Sequence, residues 1–262
     1  MLKIAIDAVK SIQQYSINTF YNKKSYNIKS DKSLVTESDV YIETQIRKFL
    51  SINTPYIPIF GEELSLDISD FNTGWVIDPI DGTRAFLYGL PIFGTLLSYI
   101  ENNEPIIGVI SFPILNTIIY ASQGNGCWIQ HKNSVPARII SPIANEETLQ
   151  NSVVSISGIH STTFDFREGV KPYKLSNIIY SARDIIFIND SYQHVMVAMG
   201  NIDAAIDTLM KPWDIAALLV CMKEAGVICA NLNGFQKKMI WGGSLITAKS
   251  QLLLDEIINL LS

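Results

Sequence analysis

The sequence predicts a layered α/β protein of the α+β type, with helices first, short strands through the middle, and strands alternating with helices toward the end. Three observations predict it. Residues 2–20 place Ile4, Ala5, Ala8, Val9 and Ile12 at mostly helical spacing. From Tyr56 to Gln130 the pattern turns to short runs rich in Ile, Val, Phe and Tyr, separated by Gly, Pro and Asn, as strands in a sheet are. After residue 150 the two patterns alternate. With 262 residues, 48% of them hydrophobic, the chain can bury a substantial core as one large domain or two closely joined lobes.

Taken in order, the first helix gives way to YNKKSYNIKSDKS, a polar stretch that reads as a loop. Thr36 or Ser38 then caps a second helix, whose inner face is Ile42, Ile46, Phe49 and Leu50. YIPIF, GWVID, FGTLLSYI, IIGVISF and TIIYAS read as strands, with ENNEP as a hairpin connection between two of them. PARIISPIANEE is polar and marked by proline, which places a lobe boundary near residues 132–151 of a single domain spanning 1–262. The N-terminal lobe is then about 1–140 and the C-terminal lobe about 141–262. Beyond it come the strand SVVSISG, a helix over Tyr192–Met199, the strand IDAAID, a helix over Trp213–Ala225, the strand SLITA and a final helix QLLLDEIINLL.

Charge and cysteine usage narrow the function. The net charge is −5 and the pI about 5.2, with no long block of Lys and Arg, so the electrostatic footprint for nucleic acid or anionic lipid is missing. Cys127, Cys221 and Cys229 are odd in number and form no CxxC pair, which supports neither a disulfide framework nor a zinc knuckle and fits a reducing cytoplasm. Cys221 in LLVCM and Cys229 in VICA read as core thiols. MLKIAIDAVK carries charges at Lys3, Asp7 and Lys10 that interrupt any signal-peptide core, and no apolar stretch reaches membrane-spanning length. A cytoplasmic protein is expected.

Acidic side chains stand at the ends of the predicted elements: Glu62 and Glu63 in FGEEL, Asp78 and Asp81 in DPIDGT, Asp214 in PWDIAAL. Pro79 fixes φ in the turn after the strand, so Asp78 and Asp81 can converge on one point. Carboxylates crowded in this way repel unless a cation sits between them, and all-oxygen ligands suit Mg2+ rather than zinc. The three histidines, His131, His160 and His194, lie far from these motifs in sequence. If a helix starts at Thr83, the N–H groups of Gly82 and Thr83 point outward and, with the helix dipole, form a phosphate site, while the Thr83 hydroxyl can orient a water. The chemistry this suggests is metal-assisted attack of water on a phosphate monoester.

GEE, then WVIDPIDGT, then PWDIAA followed by EAG resembles the inositol monophosphatase superfamily of Mg-dependent, Li-sensitive phosphatases, in order and spacing over nearly the whole chain. The resemblance implies a five-layered α-β-α-β-α sandwich of the inositol monophosphatase/fructose-1,6-bisphosphatase type, usually a homodimer. It implies that Glu62, Asp78 and the Ile80 carbonyl hold one Mg2+, that Asp78, Asp81 and Asp214 hold a second, and that two or three ions bind in all. Glu63 reads as a supporting or solvated group, since the first glutamate of the pair is the family's ligand. TESD (36–39) matches the segment whose aspartate pairs with the DGT threonine, so Asp39 and Thr83 are the expected pair that activates the nucleophilic water. Trp213 reads as packing that fixes the start of the Asp214 helix.

The substrate is less legible. Asp207 stands seven residues before Asp214, where inositol phosphatases present a glutamate to the substrate hydroxyls. GTRAFLYGLPIFGTL resembles histidinol-phosphate phosphatases more than the GTTNF pattern of inositol enzymes, and Asp190 matches an acidic position of that subgroup, where it can pair with an amine or simply cap a helix. The substrate-binding set is thus Asp81, Gly82, Thr83, Asp190, Asp207 and Asp214, with Arg84 beside the phosphate turn. His194 reads either as a substrate contact or as a structural histidine. A 3'(2'),5'-bisphosphate nucleotidase and a regulatory binding protein that keeps the fold are the alternative readings, and the complete acidic set argues against the latter.

Overall fold

The structure, a computed structural model, describes residues 1–22, 24–29, 33–65, 71–142, 148–165 and 172–262. Helix α1 (Leu2–Phe20) buries Ala5, Ala8, Val9 and Ile12, as its spacing predicts. The polar stretch after it is not all loop: β1 (Tyr26–Ile28) pairs antiparallel with β2 (Leu34–Thr36), a correction that composition hides because β1 is exposed along its length. Thr36 caps α2 (Glu37–Asn53) in a capping box with Asp39.

The middle of the chain builds one sheet. Strands β3 (Ile59–Gly61) and β4 (Gly74–Asp81) run parallel, separated by the excursion that carries Glu62 and Glu63. After α3 (Thr83–Tyr88) the chain adds β5 (Gly94–Glu101), β6 (Glu104–Phe112), β7 (Thr117–Ser122), β8 (Cys127–His131) and β9 (Ala137–Ile139), each antiparallel to the one before, in the order β3-β4-β5-β6-β7-β8-β9. YIPIF proves shorter as a strand than its composition suggests, because Tyr56 is almost fully exposed. PARII, read as part of the lobe boundary, supplies the edge strand β9, which its composition does not suggest; residues 143–147 of that stretch lie outside the described residues.

The second sheet begins with β10 (Val153–Ser157). It is followed by α4 (Leu175–Ser181), β11 (Asp184–Ile186), α5 (Asp190–Ala198), β12 (Ala204–Asp207), α6 (Pro212–Ala225), β13 (Ile228–Ala230), β14 (Leu245–Ala248) and α7 (Gln251–Leu261). The strand order is β11-β10-β12-β14-β13, with β10 parallel to both β11 and β12.

Helices α1 and α2 pack on one face of the seven-stranded sheet, and α6 on the other, against β4 to β8. Helix α5 lies beside α6 and reaches β10, β12 and β14, while α7, with α4 against it, covers the far face of the second sheet. The layers are α-β-α-β-α, the expected sandwich. Covering both faces explains why β4 is buried at every position and reads as a continuous apolar run rather than an alternating one. The approach of α6 is close: a Cβ on Gly108 of β6 would stand 2.4 Å from the Ala217 carbonyl oxygen.

Candidate active site

A cavity of about 380 Å³ opens where the C-terminal end of β4 faces the ends of β10 and β12 and the starts of α5 and α6. Its acidic floor depends on an irregularity. In a regular strand, residues three apart face opposite sides. Asp78 pairs with Leu96, but Asp81 pairs with Gly94, so β4 carries one residue more than β5 across this stretch. The bulge turns both carboxylates to the same side. Strand β4 therefore does not end at Asp78, as the DPID turn suggests; it runs on to Asp81. Asp214, at the start of α6, comes from the other direction, and one oxygen from each of Asp78, Asp81 and Asp214 lies within 4.8 Å of the others.

Burial and mutual charge shape this cluster. Burial first, then the charges of Glu62, Asp81 and Asp214, push the Asp78 carboxyl well above the usual carboxylate range. Asp214 rises for the same reasons, burial leading and Glu62 and Asp81 following, although its Oδ2 accepts the Lys211 N–H at 2.7 Å. Asp81 also rises through burial, which outweighs the Ser191 N–H it accepts at 2.9 Å from the start of α5. Asp78 Oδ1 is buried without a partner. A divalent cation offers these oxygens what the protein withholds, so the residues present fit Mg2+.

Glu62 is held by its neighbours. Its N–H donates to the Ile77 carbonyl at 3.1 Å, tying the FGEEL turn to β4. On the other side, fully buried Glu43 of α2 accepts the N–H of Glu63 at 2.8 Å and of Leu64 at 3.3 Å. Arg47, one helical turn on, locks Glu43 with a 2.7 Å bond from Nε and donates to the Ile59 carbonyl at 3.0 Å. Lys29, just after β1, bonds Glu62 at 3.0 Å and Glu63 at 2.7 Å. Burial pushes the Glu62 carboxyl up to about 7, with Lys29 opposing and Glu63 adding. Glu63 is accordingly an ion-paired residue rather than a solvated one. Lys29 and Glu43 escape sequence reading because one sits in a polar stretch and the other on an ordinary amphipathic helix.

The rest of the cavity wall comes from the ends of β10 and β12, the start of α5 and the turn into α3. Asp190 and Asp207 both line it, with Arg84, Ser157 and His160. Asp190 does not cap α5; Asn189 holds the cap position, and Asp190 is the first helical residue at φ +59°, where its N–H meets Ser157 Oγ at 3.3 Å. Its carboxylate abuts the phosphate turn: a Cβ on Gly82, itself left-handed at φ +79°, would stand 2.7 Å from Asp190 Oδ2. Burial, then Asp81 and Asp207, hold the Asp190 carboxyl well above its ordinary range against the pull of Arg84. Burial pushes Asp207 up to about 7 despite the Leu209 N–H it accepts at 3.2 Å.

Helix α3 does start at Thr83, with Gly82 as its cap residue. Asp39 and Thr83 are not hydrogen-bonded to each other: Thr83 Oγ1 donates to the Ile80 carbonyl at 3.2 Å, and Asp39 Oδ2 accepts the N–H and hydroxyl of Thr36, because the capping box claims it. Asp39 Oδ1 is buried without a partner, and burial pushes that carboxyl up to about 6 against the Thr36 bonds. His194 is fully buried with Nδ1 2.9 Å from Thr247 Oγ1, which makes it a structural histidine. Trp213 packs on Phe60 at 5.6 Å between ring centroids, and Cys127, Cys221 and Cys229 are all buried and free. Distance along the chain misleads for His160, which joins the cavity wall.

Sandwich and cavity together define a class, hydrolases in which acidic side chains gather divalent cations against a phosphate ester. The chain belongs to the inositol monophosphatase family, whose model matches residues 1–262. A histidinol-phosphatase of Chlorobaculum parvum is 28% identical over 255 residues, covering 95% of this chain and 92% of the relative. A fructose-1,6-bisphosphatase/inositol-1-monophosphatase of Thermotoga maritima is 32% identical over 238 residues, covering 87% and 85%. Among solved structures, an IMPase of Thermotoga maritima matches with a TM-score of 0.83 at 27% identity, over 99% of this chain and 96% of that one. An IMPase/NADP phosphatase solved with Mg2+ and phosphate matches in fold with a TM-score of 0.83 at 20% identity, over 99% and 94%. The chain is a phosphoric monoester hydrolase of this metal-dependent family.

Proposed function

We propose that this chain is a Mg2+-dependent phosphomonoesterase that prefers a small phosphate monoester bearing a protonated amine, histidinol phosphate before inositol 1-phosphate. The observation that carries the preference is that two acidic side chains beyond the expected metal ligands, Asp190 and Asp207, line the same cavity. An inositol ring offers them neutral hydroxyls, whereas an ammonium offers charge-assisted hydrogen bonds. The name of the Chlorobaculum relative agrees with this choice.

Glu62, Asp78, Asp81, Asp214 and the Ile80 carbonyl would hold two or three Mg2+ ions, which supply charge stabilisation for the phosphate and lower the pKa of water. The chain's own groups do the positioning. The first N–H groups of α3 have no partner within the helix, so those at Gly82 and Thr83 are available to phosphate oxygens. Thr83 orients the attacking water through its hydroxyl, and the unpartnered Asp39 Oδ1 is the acceptor to which that hydroxyl would turn from the Ile80 carbonyl. Lithium inhibition, uncompetitive in form, and a homodimer belong to the same reading and are checked by inhibition kinetics and light scattering.

The deciding experiment measures kcat/KM for histidinol phosphate, inositol 1-phosphate and a 3'(2'),5'-bisphosphate nucleotide, with and without Mg2+. Histidinol phosphate should lead, and Asp190→Asn should cut that lead. A higher kcat/KM for inositol 1-phosphate that Asp190→Asn leaves unmoved would reverse the assignment.

A further inference from the structure

The cavity wall beyond Asp207 carries a group that the carboxylate reading does not use. Strand β10 ends at Ser157, which is paired in register with Asp207 of β12. Gly158 then turns the chain at φ +79°, where a Cβ would stand 3.0 Å from Thr208 Oγ1, and His160 reaches the cavity. Its ring is partly exposed but has a fixed partner. Nδ1 lies 2.7 Å from Asp165 Oδ2, and the turn between them is organised by its own bonds. Fully buried Thr162 donates to the Ile159 carbonyl and accepts the Phe164 N–H at 3.1 Å, while Tyr173 N–H donates to the Ser161 carbonyl at 2.9 Å.

This arrangement sets the chemistry of the other ring nitrogen. An ionised carboxylate only accepts, so in the neutral imidazole the proton stays on Nδ1 and Nε2 is left as an acceptor. The Cδ2 edge, which bears Nε2, lies on the side of Gly158, 3.7 Å from where a Cβ would sit, and Gly158 itself lines the cavity. Asp190 and Asp207 line the same cavity, and an ammonium beside them would favour their ionised, accepting form over the protonated form that burial favours. His160 Nε2 and these two carboxylates would then match the three N–H donors of a primary ammonium.

We propose that His160 is a specificity-determining residue, whose Nε2 accepts a hydrogen bond from an ammonium or hydroxyl of the leaving group while Asp165 holds the ring in the required tautomer. The inference rests on the phosphomonoesterase reading of the same cavity and extends it to the alcohol half of the ester.

The test compares steady-state kinetics of wild type, His160→Ala, His160→Gln and Asp165→Asn on three esters: histidinol phosphate, inositol 1-phosphate, and phenyl phosphate, whose leaving group has no additional donor. His160→Ala should raise KM for the better of the two donor-bearing esters about tenfold, as expected for one lost hydrogen bond, with kcat within about twofold and phenyl phosphate unaffected. His160→Gln, which keeps an acceptor, should recover most of the loss, and Asp165→Asn should reproduce part of it. Equal losses on all three esters, or none on any, would overturn the role of His160. Failure of the amine reading is separately visible, because wild type would then favour inositol 1-phosphate while the contrast with phenyl phosphate still reports on His160.

Discussion

Asp81 and Asp214 sit in a cluster where burial pushes every carboxyl upward and neighbouring charges add to the rise at Asp78 and Asp214. Replacing either by Asn removes one anionic ligand and relieves that repulsion. The fold should therefore survive while kcat/KM at moderate Mg2+ falls about 100-fold or more. Steady-state rates beside a thermal melt check this, and undiminished turnover would remove the ligand assignment. His194 tests a different consequence of burial. Its ring is pushed down to about 3, against about 6.5 in an unfolded chain. The folded state thus binds fewer protons there, so stability is fully present above about pH 6.5 and is lost as pH falls toward 3, by up to about 1.4 kcal/mol per pH unit. Asp39 and Asp207, raised to about 6 and about 7, act in the opposite sense, so the measurement is the difference between wild type and His194→Gln. The variant should lose less stability between pH 6.5 and 4.5 in denaturant titrations.

At the level of elements, α2 does more than cover the sheet. Glu43 reaches from its buried face to the backbone that follows Glu62, and the contact requires glycine at 61, because a Cβ there would overlap Glu43 Oε1. Groups that orient a ligand from behind typically change metal affinity by about 10–100-fold when altered. Glu43→Gln should accordingly weaken Mg2+ binding about tenfold in calorimetry while leaving KM for the ester at saturating Mg2+ nearly unchanged. A lower melting temperature with unaltered Mg2+ affinity would reduce Glu43 to a stabilising role alone.

Across the whole molecule, the cavity is a junction. Glu62, Asp78 and Asp81 come from the seven-stranded half, Asp207 from the five-stranded half, and Asp190 and Asp214 from α5 and α6 in the layer between them. An ion held by Asp81 and Asp214 would join these layers, so it should stabilise the fold as a unit. At Mg2+ about 100 times its Kd the gain is about 2.7 kcal/mol, seen as one cooperative transition moved upward. The shift should shrink in Asp214→Asn by the share of this ion, and a shift of undiminished size there would place the ion elsewhere.

Helices α1, α2, α6 and α7 were legible from spacing and caps, and the carboxylates of GEE, DPID and PWD from their place at the ends of apolar runs, because these signals are local and each residue carries its own. The exposed strand β1 and the edge strand β9 were not, since nothing apolar marks a strand whose partner supplies its pairing. Nor could spacing show how Asp78 and Asp81 meet; a bulge one residue deep decides it, and that exists only against β5. The grip of Glu43 on the Glu62 turn, Lys29 beside the same carboxylate and His160 on the cavity wall are likewise tertiary facts. Sequence determines which groups have the chemistry, because that resides in single side chains; their convergence is decided by packing between segments far apart along the chain.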